Sequence, residues 1–285
     1  MLLNKAIKKY LVYLENKNYA NNTIKGYRKR LNILKEWLEN RYNCQVYLDD
    51  ILFDDINNFL NWQQKKGISG SSRNRDGYII SSFYKYLAKK DIYKNIAKRI
   101  EPVKTRTKER EYMTEKELEK VINAIEMPII KIVTIFLYHT GCRISEALKL
   151  KINDVDFNND IIKIKQAKGN KDRNLALNSE LKTKLIDYLE NERPVVDSKN
   201  VFATRKSGSL SRSHYNIKLK KATEKVDINK NITSHSIRHS TAVALVKKGV
   251  DLPTIQKILG HENLETTSIY VHSNMSKIRD ALEVI

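Results

Sequence analysis

The stretch HSIRHSTAVALVKKGVDLPTIQKILGHENLETTSIYVH, residues 235–272, gathers an unusual density of side chains that transfer protons or bind phosphate. It holds four of the six histidines of the chain, together with Arg238 and Tyr270. His235 and Arg238 are three positions apart on a predicted helix, so both side chains lie on one face and can converge on a single anion. Arginine suits this task because its planar fork donates two hydrogen bonds to phosphate oxygens and keeps its charge.

A second arginine stands upstream, where a predicted helix is interrupted. The apolar run 129–138 ends at Thr140-Gly141, and Arg143 follows before the apolar pattern resumes over 145–150. The sequence therefore places Arg143 beside a break between two helices, whereas Arg238 is the arginine that spacing by itself offers as a candidate anion ligand.

Between the two arginines, three short segments have strand-like composition. They cover 155–157, 161–165 and 173–177, and turn formers separate them. They predict a small three-stranded antiparallel sheet whose second hairpin carries Lys168 and Lys171 at its tip. The remaining apolar periodicity predicts helices at 179–191, 212–225, 235–248 and 253–259.

The first hundred residues read as a separate, mainly helical module. Leu3, Ile7 and Leu11 form one apolar stripe, and further helices are predicted after Asn21-Asn22-Thr23 and after a polar loop at 67–72. These helices carry basic side chains that are candidates for binding DNA: Arg28, Lys29, Arg73 and Arg75.

The composition of the chain indicates two domains joined by a linker. Residues 101–112 are charged and lack apolar periodicity, as a linker does, so we predict a helical domain at 1–100, a linker at 101–112 and a second domain at 113–285. Thr114 and Glu117 form a capping-box pattern at the start of the second domain.

The formal net charge of +20 attracts nucleic acid, although a basic surface alone is weak evidence for a nucleic-acid partner.

The sequence also argues against several classes of protein. No apolar run is long enough to span a bilayer and no signal-peptide core is present, so we expect a cytoplasmic protein without membrane association. Cys44 and Cys142 are too few and too far apart for a disulfide framework or a cysteine-based metal site, and we expect both to be reduced, packed thiols. His235 and His239 could suggest a zinc pair, but the glutamate of the metalloprotease motif is absent.

Taken together, the motifs resemble the tyrosine recombinase family, in particular its Xer and phage integrase members. The resemblance rests on Thr140-Gly-Cys-Arg143-Ile-Ser-Glu146, on His235-Ser-Ile-Arg238-His, on Leu259-Gly-His261, and on Tyr270 nine residues later. It covers residues 112–285 well and the first module more loosely. It implies a mainly α fold with a small antiparallel sheet, in which a helical, SAM-like core-binding domain precedes an α+β catalytic domain.

The resemblance implies a role for each motif residue. Arg143 and Arg238 would bind the scissile phosphate, Tyr270 would attack it, and His235 would accept the phenolic proton. His261 would hydrogen-bond a phosphate oxygen and Lys168 would protonate the leaving 5′ oxygen. Lys171 is a further candidate for binding DNA and the alternative acid. It further implies double-stranded DNA as substrate, a homotetramer on two DNA sites, a C-terminal tail at 275–285 that packs on a neighbouring subunit, and neither metal nor other cofactor.

Plainer interpretations of these residues remain open at this point. Arg143 could be a structural partner of Glu146, His261 could cap a helix, Tyr270 could be one more packed aromatic, and the basic helices could be solvated faces. Two other functions also fit the motifs. One is a type IB topoisomerase, which uses similar residues, and the other is a catalytically silent DNA-binding protein of the same fold.

Overall fold

The protein is described from a computed structural model that defines residues 1–105, 111–165, 172–206 and 208–260. The chain divides into two compact units, Met1–Lys108 and Glu109–Ile285, and each unit has its own hydrophobic core. The division falls within the predicted linker at 101–112. The predicted fold class is confirmed, because the chain is mainly helical with a small antiparallel sheet.

The first unit is a bundle of helices. Helix α1 (Leu3–Asn16) buries the apolar stripe seen in the sequence, since Leu3, Ile7 and Leu11 are each at most 5% exposed. Helix α4 (Gly70–Lys89) starts inside the segment predicted as a polar loop, because the Ser69 side chain accepts a hydrogen bond from the backbone of Ser72 and caps the helix. Its main helices are α1 (Leu3–Asn16), α2 (Asn21–Tyr42), α3 (Phe53–Lys65) and α4 (Gly70–Lys89).

Helix α3 was not anticipated from the sequence. Its apolar stripe is short, with Ile56 and Phe59 as the buried hydrophobic residues. A local hydrogen bond fixes its start, because the Asp55 carboxylate accepts from the backbone N–H of Leu52 at 2.9 Å. Burial against the rest of the unit, rather than sequence periodicity, stabilises this helix.

The second unit is organised around helix α6 (Pro128–Thr140). Its side chains are apolar on nearly every face, and Ile130, Val133 and Phe136 are fully buried, as expected of a central helix. Thr114 caps the preceding helix α5 (Glu115–Ala124) through the predicted capping box with Glu117. The helices are α5 (Glu115–Ala124), α6 (Pro128–Thr140), the single turn α7 (Ile144–Ala147), α8 (Ser179–Asp187), α9 (Arg212–Lys225), α10 (Ser234–Lys247) and α11 (Leu252–Leu259).

The sheet of this unit has the predicted antiparallel order. Strand β1 (Val155–Asp156) pairs with β2 (Ile161–Ile164), and β2 pairs with β3 (Arg173–Ala176). The last pair before the β2–β3 connection joins Ile164 to Arg173. Arg173 therefore lies at the end of the described β2–β3 ladder, and Lys168 and Lys171 belong to the connecting segment outside the described residues.

The two cysteines differ in their surroundings. Cys142 is buried, and burial raises the pKa of its thiol to about 11, so the thiol stays protonated at neutral pH. Cys44 is free but exposed, so the expectation of a packed thiol was wrong there: it lies just beyond the end of α2, at the surface of the first unit. In the ranges that the structure defines, no helix combines the length and the apolar composition needed to cross a membrane.

Candidate active site

Arg143 is positioned by the turn that ends helix α6. Gly141 closes the helix with a φ of +59°, a backbone conformation that favours glycine. A side-chain carbon on Gly141 would also lie 2.8 Å from Leu259 Cδ2, closer than packing allows. The break that the sequence indicated is therefore a tight, packed turn, and Arg143 forms the N-terminal cap of α7 just beyond it.

Arg143 is held by a carboxylate and by a carbonyl. Its backbone N–H donates to Glu146 Oε2 at 2.9 Å and its Nη1 donates to Glu146 Oε1 at 2.9 Å. Its Nη2 donates to the carbonyl of Gly260 at 3.0 Å, which links the α7 turn to the Leu-Gly-His segment. The side chain keeps 23% of its surface exposed, so it can still meet a ligand.

A third arginine, Arg173, also binds the carboxylate of Glu146, and it was not singled out from the sequence. Arg173 donates to both oxygens of Glu146, from Nη2 at 2.7 Å and from Nη1 at 3.2 Å. Its guanidinium lies against Gly260, where a side-chain carbon would stand 2.9 Å from Arg173 Cζ. The only sequence signal was its position, two residues after Lys171 at the end of the hairpin.

Arg238 lies buried beside this group. It projects from α10, is 7% exposed, and donates from Nη1 to the carbonyl of Gly141 at 2.8 Å. Burial, and then the neighbouring positive charge of Arg143, lower the pKa of Arg238 to about 10. The group remains charged at neutral pH but is held in an environment that disfavours that charge.

We call Arg143, Arg173, Arg238 and Glu146 the arginine cluster. Its three positive charges face one negative charge among these four side chains. Burial would raise the pKa of Glu146, yet hydrogen bonds from Arg173 and Arg143 lower it to about 2, so it is fully ionised at neutral pH. Arg143 and Arg173 both bind this carboxylate and Arg238 lies close to it, so positive charge is in excess among these four groups, and such a partly buried excess favours binding of an anion.

His235 lies in the first turn of α10, and its side chain is exposed. The start of this helix is fixed by two hydrogen bonds, since Ser236 accepts from the backbone of Thr233 and Asn216 on α9 accepts from the backbone of Ser234 at 3.0 Å. Arg238 follows one turn later, facing the interior. The structure thus places the candidate base on the solvent-facing end of the helix that carries a candidate phosphate ligand.

Four of the predicted site residues lie outside the described ranges: Lys168, Lys171, His261 and Tyr270. So does the predicted tail at 275–285. The described chain ends at Gly260, whose carbonyl accepts from Arg143. His261 is the next residue in the sequence and Tyr270 follows nine residues after it, so the last described contact with Arg143 lies directly before His261.

The predicted DNA-binding residues of the first unit occupy its surface to different degrees. Arg28, Lys29 and Arg75 are exposed. Arg73 is half-buried and donates from Nη1 to Gln64 at 2.8 Å, so part of its fork is already engaged. Tyr78, one turn from Arg75 on α4, is the most exposed aromatic side chain described, at 68%.

No group of three or more His, Cys, Asp or Glu side chains that could hold a metal ion occurs in residues 1–105, 111–165, 172–206 and 208–260. His239, the second member of the considered zinc pair, is buried, and its ring meets Tyr112 edge to face, with 5.6 Å between the centroids. His235, by contrast, is exposed. The two histidines therefore occupy different environments on α10.

Comparison with known proteins gives consistent matches over both units. A model described as the phage integrase family matches residues 111–277, and one described as the phage integrase N-terminal SAM-like domain matches residues 7–91. The tyrosine recombinase XerD of Staphylococcus epidermidis is 31% identical over 291 residues, which cover 97% of each chain.

Solved structures share the fold. An integrase of the transposon Tn1549, in complex with a circular intermediate DNA, is similar with a TM-score of 0.80 and 18% identity over the whole of both chains. A lambda integrase tetramer bound to a Holliday junction gives a TM-score of 0.76 and 18% identity, over 92% of this chain and 78% of that one. At these identities the likeness establishes the fold.

Proposed function

The chain belongs to the phage integrase family of tyrosine recombinases and is a site-specific recombinase, and we propose that it cuts DNA by linking Tyr270 to a backbone phosphate. The intermediate is a 3′-phosphotyrosyl bond with a free 5′ hydroxyl on the other side of the break. Because the energy of the phosphodiester is kept in this bond, the strand is resealed to a new partner without ATP.

The observation that carries this proposal is the arginine cluster. A phosphodiester has two non-bridging oxygens that gain charge as the phosphorus becomes five-coordinate, and guanidinium groups fixed beside them stabilise that charge. Arg143 is bound to Glu146, Arg238 lies nearby on a different helix, and backbone carbonyls orient both guanidinium groups. This excess of fixed positive charge, rather than the ion pair with Glu146 alone, favours a functional role for Arg143.

We propose the remaining roles from the sequence motifs. The phenol of Tyr270, whose ordinary pKa is about 10, must lose its proton to attack phosphorus, and His235 accepts that proton. The bond from phosphorus to the 5′ oxygen then breaks, and this oxygen takes a proton from Lys168, or from Lys171 in the alternative assignment. His261 donates a hydrogen bond to a phosphate oxygen. The arginines supply the positive charge that divalent ions supply in many nucleases, so we expect no metal requirement.

The substrate is a double-stranded DNA site. We propose that Arg28, Lys29, Arg73 and Arg75 bind backbone phosphates from the first unit, and that affinity falls steeply with salt as a result. The lambda integrase with this fold is a tetramer on a Holliday junction. By extension, four copies of this chain join two DNA sites in the cytoplasm, and the tail at 275–285 packs on a neighbouring copy.

Two alternatives make different predictions. A type IB topoisomerase would relax supercoiled DNA as a monomer and without a preferred site. A silent DNA-binding protein would form no covalent bond. The similarity to a named XerD recombinase over 97% of both chains favours the recombinase.

The test is to trap the covalent intermediate without knowing the site in advance. Wild-type protein is incubated with genomic DNA fragments and denatured, and the DNA that remains attached to protein is sequenced at its ends. We expect a small set of related sequences with wild type and none with Tyr270→Phe, although this variant still binds DNA. An adduct that persists in Tyr270→Phe would place the nucleophile elsewhere, and random cut positions would favour the topoisomerase.

A further inference from the structure

Arg173 links three segments of the second unit that are far apart in sequence. It is the first residue of β3, at the base of the β2–β3 hairpin. It binds both oxygens of Glu146, which in turn holds the turn that carries Arg143. Its guanidinium also lies against Gly260, where glycine leaves room for it.

The environment of Arg173 is that of a fixed group rather than of a solvated surface charge. The side chain is 16% exposed, and its Nε is buried with no hydrogen-bond partner among the described residues. The two Nη groups make the contacts to Glu146, whose side chain is 5% exposed. An arginine held in this way fixes the backbone it belongs to, because moving it would leave a buried carboxylate without part of its compensation.

The backbone that Arg173 fixes leads directly into the lysine-bearing connection. Ile164 and Arg173 form the last pair of the β2–β3 ladder, and Lys171 and Lys168 precede Arg173 by two and five residues. Two residues of extended chain reach about 7 Å. Five residues reach about 17 Å. A fixed Arg173 therefore limits how far from it either lysine can lie, and the limit is tighter for Lys171.

We propose that Arg173 is a positioning residue for strand cleavage: through Glu146 it ties the β2–β3 hairpin to the Arg143 turn, so that a hairpin lysine reaches the leaving 5′ oxygen. This inference rests on the proposed function. It assigns to Arg173 an effect on proton delivery and not on binding of the phosphate, which Arg143 and Arg238 perform.

The contact geometry explains why this position needs arginine. A guanidinium places two nitrogens against two carboxylate oxygens at once and so fixes an orientation, whereas a lysine ammonium is a point charge on a flexible stem. Arg173→Lys keeps the charge of the cluster and loses the orientation. The two effects can therefore be separated by experiment.

The experiment compares two leaving groups on a site recovered from the trapped DNA. In one oligonucleotide the scissile bridging atom is the normal 5′ oxygen, and in the other it is sulfur. An alkoxide must be protonated as it leaves, whereas a thiol, with a pKa of about 8.5, leaves as the thiolate without an acid. Covalent adduct formation is followed under single-turnover conditions with both substrates.

For Arg173→Ala we expect cleavage of the normal substrate to slow by about 100-fold, the lower end of what a general acid contributes. Cleavage of the sulfur substrate should change by less than about 5-fold, because that reaction needs no acid. Arg173→Lys should give the same pattern with a smaller loss. Of Lys168→Ala and Lys171→Ala, the variant that removes the acid should show the same selective loss.

Two matched variants separate this role from others. Arg143→Ala should slow both substrates alike, because it removes a phosphate ligand. Arg193→Ala removes another partly buried arginine, one that donates to the carbonyls of Ser198 and Asn200, and should alter stability without a difference between the substrates.

Equal slowing of both substrates by Arg173→Ala and Arg173→Lys, or no slowing by either variant, would overturn the inference. If Arg173→Ala does not fold, the ratio of the two rates in Arg173→Lys decides by the same criterion. Failure of the wild-type protein to cleave either substrate would instead count against the proposed function, so the two failures are distinguishable.

Discussion

Replacing Glu146 with glutamine should destabilise the second unit, and by an amount that the structure sets. The pKa of Glu146 is lowered from its ordinary value of 4.5 to about 2, and the side chain is 5% exposed, so solvent screens it little. At about 1.4 kcal/mol for each pKa unit, the ionised carboxylate contributes on the order of 3 kcal/mol at neutral pH. Glu146→Gln removes this contribution and leaves the guanidinium groups uncompensated.

The two tryptophans make the measurement specific. Trp37 and Trp62 are the two tryptophans of the chain, and both lie in the first unit. Urea unfolding followed by tryptophan fluorescence therefore reports on that unit, while circular dichroism reports on both units. With a dependence on urea of about 2 kcal/mol per molar, Glu146→Gln should lower the midpoint of the second unit by about 1.5 M and leave the fluorescence transition in place.

The stabilisation by Glu146 should depend on pH in a direction set by its lowered pKa. Because the pKa is depressed in the folded state, the stabilisation is complete above the ordinary pKa of 4.5 and is lost as the pH falls from there toward about 2. At pH 3.5 the difference between wild type and Glu146→Gln should be about 1 kcal/mol smaller than at pH 7. Glu180→Gln is the matched control, because Glu180 is 63% exposed and its ion pair with Lys184 spans 3.8 Å, and it should change stability by less than about 1 kcal/mol. Equal stability of wild type and Glu146→Gln at pH 7 would refute the reasoning.

Arg238→Ala should lower the rate of covalent adduct formation by several orders of magnitude while DNA binding in a gel-shift assay stays within about tenfold, and a rate within tenfold of wild type would contradict its role at the phosphate. Adduct formation should persist in excess chelator; loss of activity that magnesium restores would count against the metal-free mechanism. Gly141→Ala should destabilise the second unit by about 2 kcal/mol in urea unfolding, because of its positive φ and its contact with Leu259, whereas Gly26→Ala, with open space around it in α2, should be neutral or slightly stabilising. Deleting 275–285 should abolish tetramers on DNA in analytical ultracentrifugation, and unchanged tetramers would reject the role of the tail.

The elements with strong local signals could be predicted, and those without them could not. The stripe of α1, the capping box of Thr114 with Glu117 and the three strands were visible because periodicity and turn chemistry are local properties. Helix α3 was missed because its apolar stripe is short and its stability comes from burial in the bundle. The start of α4 was placed too late because the serines that read as a loop also serve as a helix cap.

The sequence by itself determined which residues are candidates for the reaction and their order along the chain, since spacing put His235 and Arg238 on one helix face and the family resemblance implied roles for Arg143 and Tyr270. Only the tertiary structure brought Arg173 into the cluster, because its contact with Glu146 spans 27 positions and leaves no periodic trace in the sequence. The same holds for the two glycine carbonyls that orient Arg143 and Arg238. The chemistry of a side chain is a property of that residue alone. The electrostatic field at an active site depends on the distances between charged residues, and folding sets those distances.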